Sequence, residues 1–219
     1  ASKIVVCPYD ADYHRAAAAR QTPADAARAR IGLAPAARYF FTAARLVHDK
    51  GIDLMLQAFR NARLVDRGWH YVVAGVGPQE APLKYLASTL RGHVHFVGFQ
   101  QPADNLAMMA HAEALVLPSR YEPHGIVIQE ATSMGVPVLA SDVCGAAADL
   151  VVPGVSGNLF RSGDVADLTA RLTAFATDDA RVHEMRSGAR HVFETWFDRT
   201  NPVKVVDRIA RKMLAGEHA

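Results

Sequence analysis

The stretch from Leu115 to Ala140 constrains the fold of this chain most strongly, because two short apolar runs enclose a helical segment. The first run ends at a polar loop, Pro118 to Glu122, and residues 125–134 fit one helix. Gly135 suits the C-terminal cap of that helix, and residues 136–140 form the second apolar run. A strand, a helix and a strand in this order predict two parallel strands joined by a right-handed connection.

The start of this helix has the chemistry of an anion site. His124, Gly125 and Ile126 supply backbone N–H groups near a helix N-terminus, where free donors and the helix dipole attract negative charge. Glu122 stands just before the helix, and Glu130 lies about 7.5 Å along its axis at about 1.5 Å per residue. That spacing is compatible with a diphosphate at the helix start and ribose hydroxyls at Glu130. An ordinary helix with two solvated carboxylates explains the same residues, so this stretch alone leaves both interpretations open.

Further candidate ligands follow two earlier apolar runs, which predict two more strands. Arg45 and Lys50 lie in the loop after the first run, where cations suit a diphosphate because Arg can bind two oxygens and Lys adds a compact charge. Gly75 and Gly77 follow the second run, and a lone G-x-G is weak evidence for a dinucleotide site. Ligands of parallel sheets bind outside the carboxyl ends of the strands, so the shared location of these residues predicts one site.

The motif E-P-H-G-I-V-I-Q-E, from Glu122 to Glu130, resembles the E-x7-E motif of retaining, nucleotide-sugar-dependent glycosyltransferases of the GT-B fold, family 4. The segment with Arg45 and Lys50 is similar to the G-R-L-x-x-x-K-G-x-D segment of that family, with alanine in place of the first glycine. Gly75 begins a turn similar to the G-x-G-P turn of the family.

The resemblance implies a role for each candidate. Glu122 would contact the donor sugar or lie beside it, while Arg45 and Lys50 would neutralise the diphosphate leaving group; these three are the catalytic candidates. The donor would be a UDP- or GDP-sugar acting as substrate, with no cofactor and no metal. Glu130 would bind the ribose hydroxyls and Val97 would lie beside the base, and the complete set of candidate nucleotide-binding residues is Gly75, Gly77, Val97, His124, Gly125, Ile126 and Glu130.

The resemblance also implies an α/β fold with a Rossmann-like parallel sheet and helices on both faces, one half of a GT-B enzyme. The alternation of apolar runs and helical segments supports about six parallel strands. Residues 1–38 are predicted to be an interdomain linker and N-terminal segment, and residues 39–200 the nucleotide-sugar-binding domain. Residues 201–219 are predicted to form a C-terminal helix that crosses back to an N-terminal domain absent from this chain.

The composition of the chain limits the classes of binding partner that are expected. The chain has 219 residues and a net charge of +2, which does not indicate a nucleic-acid binder, and no apolar run approaches a membrane span. The expected partners are the nucleotide-sugar donor, a glycan or lipid-linked acceptor and the absent N-terminal domain. A cytoplasmic location is expected, with peripheral association at the inner face of the membrane through that absent half. Cys7 and Cys144 are expected to be plain thiols.

Two other classes of protein stay open. A Rossmann-like module for a nicotinamide or flavin cofactor would carry G-x-G-x-x-G after its first strand, and no glycine cluster follows residues 39–43. A purely structural domain would leave every charge named above solvated. His93 and His95 share one face of a predicted strand, but the sequence offers no third ligand nearby, so a metal site is not expected.

Overall fold

The computed structural model describes residues 11–215, apart from the side chain of Pro202. Strands and helices alternate through most of this range. The strands are β1 (Arg38–Ala43), β2 (Trp69–Ala74), β3 (Val94–Gly98), β4 (Ala114–Leu117), β5 (Val138–Ser141) and β6 (Gly157–Phe160). The helices are α1 (Tyr13–Ala19), α2 (Ala24–Ile31), α3 (Ile52–Asn61), α4 (Glu80–Ala87), α5 (Pro102–Ala110), α6 (Ile126–Ser133), α7 (Ala147–Leu150), α8 (Val165–Thr177), α9 (Asp179–Thr200) and α10 (Pro202–Leu214).

The strands of the described region form one six-stranded sheet in the order β3-β2-β1-β4-β5-β6. Every neighbouring pair is parallel; Phe41, for example, lies opposite Val72 on one side and Leu115 on the other. The chain moves outward from β1 to β3 and then returns to the centre at β4. The order therefore reverses between β1 and β4, and a crevice for ligands forms at such a switch point, outside the carboxyl ends of the strands.

Successive side chains along each strand point to opposite faces of the sheet, and they contribute to two apolar cores, one on each face. Phe41 and Leu115 point into a core with α1, α5, α6 and the C-terminal half of α9. Phe40 and Val116 point into a core with α3, α4, α8 and the N-terminal half of α9. The predicted Rossmann-like parallel sheet with helices on both faces is therefore confirmed.

The N-terminal part of the described chain packs on the sheet as well. The sequence predicts no helix at residues 13–19, but α1 buries Ala16 and Ala19 in the core beside α5 and α6. The ring of Tyr13 lies 4.9 Å from that of Phe193 and 5.0 Å from that of Phe197. Both α1 and α2 fall within the predicted linker, residues 1–38. Residues 1–10, including Cys7, lie outside the described residues.

The last helix, α10, carries an apolar stripe that the described chain only partly covers. Val205 is buried, whereas Val203, Val206, Met213 and Leu214 are exposed. Within the described residues no helix combines the length and the apolar character needed to cross a membrane.

Three histidines lie together on one face of the sheet near its β3 edge. His70 Nδ1 is 3.0 Å from His95 Nε2, and the ring of His70 stacks on that of His93 with centroids 4.6 Å apart. Burial, and then the neighbouring imidazoles, lower the pKa of His70 to about 4 and also lower the pKa of His95. Residues 11–215 contain no group of three or more His, Cys, Asp or Glu placed to hold a metal ion.

These histidines predict a loss of stability in mild acid. Between the ordinary pKa of about 6.5 and the folded pKa of about 4, the unfolded chain binds a proton that folded His70 does not. The free energy of unfolding should therefore fall as the pH drops through this window. One pKa unit corresponds to about 1.4 kcal/mol, but His70 is only half-buried, so solvent screening should reduce the total to about 1–2 kcal/mol. Urea unfolding of the wild type and His70→Gln at several pH values should show a flatter slope for the variant.

The matched control is His191→Gln, since His191 is exposed on α9. This control should keep the slope of the wild type. An unchanged slope in His70→Gln would show that His70 does not titrate in this window.

Candidate ligand site at the switch point

Two loops lie side by side at the reversal of strand order. Residues 44–51 follow β1 and residues 118–125 follow β4, its direct neighbour in the sheet. Gly51 has a φ of +61°, and a Cβ there would lie 1.9 Å from the carbonyl oxygen of Pro118. Only glycine fits such a contact, so the two loops meet backbone to backbone.

An ion pair joins the two loops. Lys50 Nζ donates to Glu122 Oε2 at 2.7 Å, with side chains that are 20% and 15% exposed. The other oxygen, Glu122 Oε1, accepts from the N–H of Gly125 at 3.1 Å. Glu122 therefore links a cation of one loop to the start of α6.

The start of α6 keeps only part of the predicted set of donors. The helix begins at Ile126, and Gly125 precedes it with a left-handed backbone. The N–H of Gly125 is already bound to Glu122, while the N–H groups of His124 and Ile126 have no acceptor among the described residues. Two backbone donors at this helix end thus remain available to an anion, and the side chain of His124 is exposed.

The turn after β2 supports the loop that carries Arg45. A Cβ at Gly75, where φ is +138°, would lie 1.9 Å from the carbonyl oxygen of Ala44, and a Cβ at Gly77 would lie 2.4 Å from that of Leu46. The two glycines are therefore explained by close packing of one loop against another.

A cavity of about 220 Å³ opens between these loops and the end of β3. Arg45 is exposed, lines this cavity and has no carboxylate partner among the described residues. Gly75 and Phe99 also line it. Val97 packs against the core behind, and its carbonyl oxygen accepts from the side-chain amide of Gln100. The structure thus places Arg45 at a separate recess from the Lys50–Glu122 pair.

Glu130 lies in the second turn of α6 and is half-buried. Its carboxylate has no ion-pair or hydrogen-bond partner among the described residues. Burial, and to a smaller extent the charge of Asp12, raise the pKa of Glu130 to about 7. Asp12 caps α1 by accepting from the N–H of Arg15. Sequence reasoning missed Asp12, because nothing local connects it to a residue so distant in the chain.

Sequence reasoning also missed a second ion pair, which joins Arg120 in the loop after β4 to Asp53 in the first turn of α3. Asp53 is the last residue of the D-K-G-I-D run and Arg120 precedes Glu122 by two positions. The closeness of both residues to the predicted site residues Lys50 and Glu122 is the sequence feature that could have indicated this pair.

Together, the fold and this site define a Rossmann-like α/β domain with a polar cleft at its switch point. Residues 24–192 match the family described as "Glycosyl transferases group 1", which is more than half of the chain, and the chain belongs to this family.

Two relatives agree with this assignment. The chain is 31% identical over 159 residues to a glycogen synthase of Mycobacterium tuberculosis, covering 70% of this chain and 37% of that protein. It is 34% identical over 145 residues to the alpha-D-kanosaminyltransferase of Streptomyces kanamyceticus, covering 64% of this chain and 36% of that protein. The chain thus spans little more than a third of these relatives.

Two solved structures share the fold. WaaG, a glycosyltransferase involved in lipopolysaccharide biosynthesis, superposes with a TM-score of 0.76 at 21% identity, covering 93% of this chain and 55% of that chain. Anabaena Alr3699/HepE in complex with UDP superposes with a TM-score of 0.74 at 22% identity, covering 96% of this chain and 57% of that chain.

Proposed function

We propose that this chain binds the nucleotide-sugar donor of a retaining, family 4 glycosyltransferase, as the C-terminal half of a GT-B enzyme. The reaction is transfer of a hexose or related sugar from a UDP- or GDP-sugar to a glycan or lipid-linked acceptor. The observation that carries the proposal is the contact of Lys50 with Glu122 at the open start of α6. A cation, a carboxylate and unpaired backbone donors meet there at the switch point of the sheet.

The diphosphate of the donor would lie against Lys50 and the N–H groups of His124 and Ile126, with Arg45 approaching from the neighbouring recess. Preorganised donors of this kind stabilise the charge that develops on a departing diphosphate. Glu122 pairs with Lys50 and holds its ammonium at 2.7 Å. Glu122 would then lie beside the donor sugar.

The nucleoside would extend away from the diphosphate in two directions. Glu130 offers a half-buried carboxylate with no protein partner among the described residues, which suits a pair of ribose hydroxyls. The cavity lined by Gly75 and Phe99 offers an apolar wall for the base near Val97 and Gly77. UDP is the first candidate, because Alr3699/HepE was solved with UDP and with UDP-glucose.

The proposal also includes an acceptor and an N-terminal half of the enzyme. The exposed stripe of α10, with Val203, Val206, Met213 and Leu214, is an apolar surface suited to contact an N-terminal domain. A cytoplasmic enzyme with peripheral membrane association through that domain fits a lipid-linked acceptor.

A ligand panel tests the proposed donor site. A ligand at about 100 times its Kd stabilises the folded state by about 2.7 kcal/mol, which for a chain of this size is a shift of about 5–10 °C. We expect UDP or GDP, and the matching nucleotide-sugar, to raise Tm by this amount. A shift with NAD or a flavin instead would indicate a dinucleotide-binding module. No shift with any nucleotide would favour a structural domain.

A further inference from the structure

The loops that hold Lys50 and Glu122 are joined a second time by the side chain of Arg120. Its guanidinium forms a two-pronged ion pair with Asp53, with Nη1 to Oδ1 at 2.8 Å and Nη2 to Oδ2 at 2.6 Å. The two side chains are 25% and 28% exposed. Paired hydrogen bonds of this kind fix direction as well as distance, unlike a single contact between charges.

The same short segment makes backbone contacts to the facing loop. Arg120 Nη1 also donates to the carbonyl oxygen of His48 at 2.9 Å. The N–H groups of Arg120 and Tyr121 both donate to the carbonyl oxygen of Asp49, at 2.7 and 3.2 Å. Hydrogen bonds therefore hold the chain on both sides of Lys50, at His48 and Asp49 before it and at Asp53 after it.

The ion pair persists over a wide pH range. Burial acts to raise the pKa of Asp53, but the hydrogen bond and charge of Arg120 outweigh it, so the pKa is lowered overall. Asp53 also lies in the first turn of α3, where the helix dipole favours a negative charge. Asp53 is therefore ionised at neutral pH, and its ion pair with Arg120 is in place there.

We propose that Arg120 and Asp53 are positioning residues, which hold the Lys50 ammonium beside Glu122 in the place where it meets the donor diphosphate. This inference rests on the proposed function. Neither side chain needs to touch the donor. Without the ion pair, the backbone hydrogen bonds to Asp49 still join the loops, but the chain after Lys50 is held less firmly and Lys50 spends less time in the binding position.

Calorimetric titration of Asp53→Asn with UDP and with uridine tests this role. We expect the affinity for UDP to fall about 3- to 10-fold, a coupling within the range seen for contacting residues, while the affinity for uridine is unchanged. Arg120→Lys keeps the charge without the two-pronged geometry, so a smaller loss is expected. If GDP is the nucleotide that the wild type binds, GDP and guanosine replace UDP and uridine.

A double-mutant cycle with Lys50→Ala separates positioning from general stability. If Asp53 acts through Lys50, then Asp53→Asn should have no further effect on UDP affinity once Lys50 is removed. Glu113→Gln is the matched control, because Glu113 is 17% exposed and pairs with Arg186 at the opposite end of the sheet. This control should lower Tm and leave UDP affinity unchanged.

The outcomes distinguish the inference from the function on which it depends. An equal loss of UDP affinity from Asp53→Asn with and without Lys50, or an equal loss for uridine, would overturn the positioning role. Normal UDP binding by both Asp53→Asn and Arg120→Lys would overturn it too, while a loss in Lys50→Ala would leave the donor site standing. A wild-type chain that binds neither UDP nor GDP would overturn the proposed function itself.

Discussion

Replacement of Lys50 by alanine is expected to weaken the binding of a nucleoside diphosphate by about 10- to 100-fold and to leave nucleoside binding unchanged. A hydrogen bond to a charged group contributes about 1.5–3 kcal/mol, and about 1.4 kcal/mol corresponds to a factor of ten. Lys50 is the cation held at the start of α6 through Glu122. The exposed Arg45 lines the neighbouring recess, and Arg45→Ala should produce a loss at the lower end of this range.

The measurement is a calorimetric titration of each variant with UDP and with uridine. Lys84→Ala is the matched control, because Lys84 pairs with Glu80 on the surface of α4, away from α6. Removal of Lys50 leaves Glu122 with the N–H of Gly125, so the variant should stay folded and the titration is run well below its Tm. UDP affinities equal to the wild type in both the Lys50 and Arg45 variants would show that the diphosphate binds elsewhere.

The strands could be predicted from the sequence because parallel strands that are buried on both faces read as short continuous apolar runs. The apolar run at residues 69–74 predicts a strand that matches β2, and the strand predicted at residues 39–43 differs from β1 by one residue. The order of the strands in the sheet could not be predicted from apolar runs in the same way. The pairing of β1 with β4 places Phe41 opposite Leu115, two residues far apart in the chain, and it depends on tertiary packing rather than on a local sequence pattern.

The sequence predicted which candidate residues follow strands, but it did not predict the contacts that these residues make. Sequence spacing places Lys50 and Glu122 at one edge of the sheet, but it does not reveal their ion pair or the link from Arg120 to Asp53. The sequence did not predict α1, because the buried residues of this helix are alanines, Ala16 among them, which give almost no apolar period.

A second large effect on donor affinity is expected at Glu130, where the affinity should depend on pH. With the pKa of Glu130 raised to about 7, chiefly by burial, the carboxyl group of the free protein holds a proton below that pH. Ribose hydroxyls bind best to the ionised form, which accepts from both. The affinity for UDP-glucose, a diphosphate diester with no proton to gain in this range, should therefore be about tenfold weaker at about pH 6 than at about pH 8.

Glu130→Gln should remove this pH dependence and bind UDP-glucose about tenfold more weakly than the wild type at about pH 8, as expected for the loss of a charged hydrogen-bond acceptor. The folded pKa of about 7 lies above the ordinary 4.5, so ionised Glu130 lowers the stability of the free protein at neutral pH, and the substitution should not reduce Tm. A 2′,3′-dideoxy nucleotide should bind both proteins equally. Equal losses for the ribose and dideoxy ligands, or a pH dependence that survives in Glu130→Gln, would show that Glu130 does not hold the ribose.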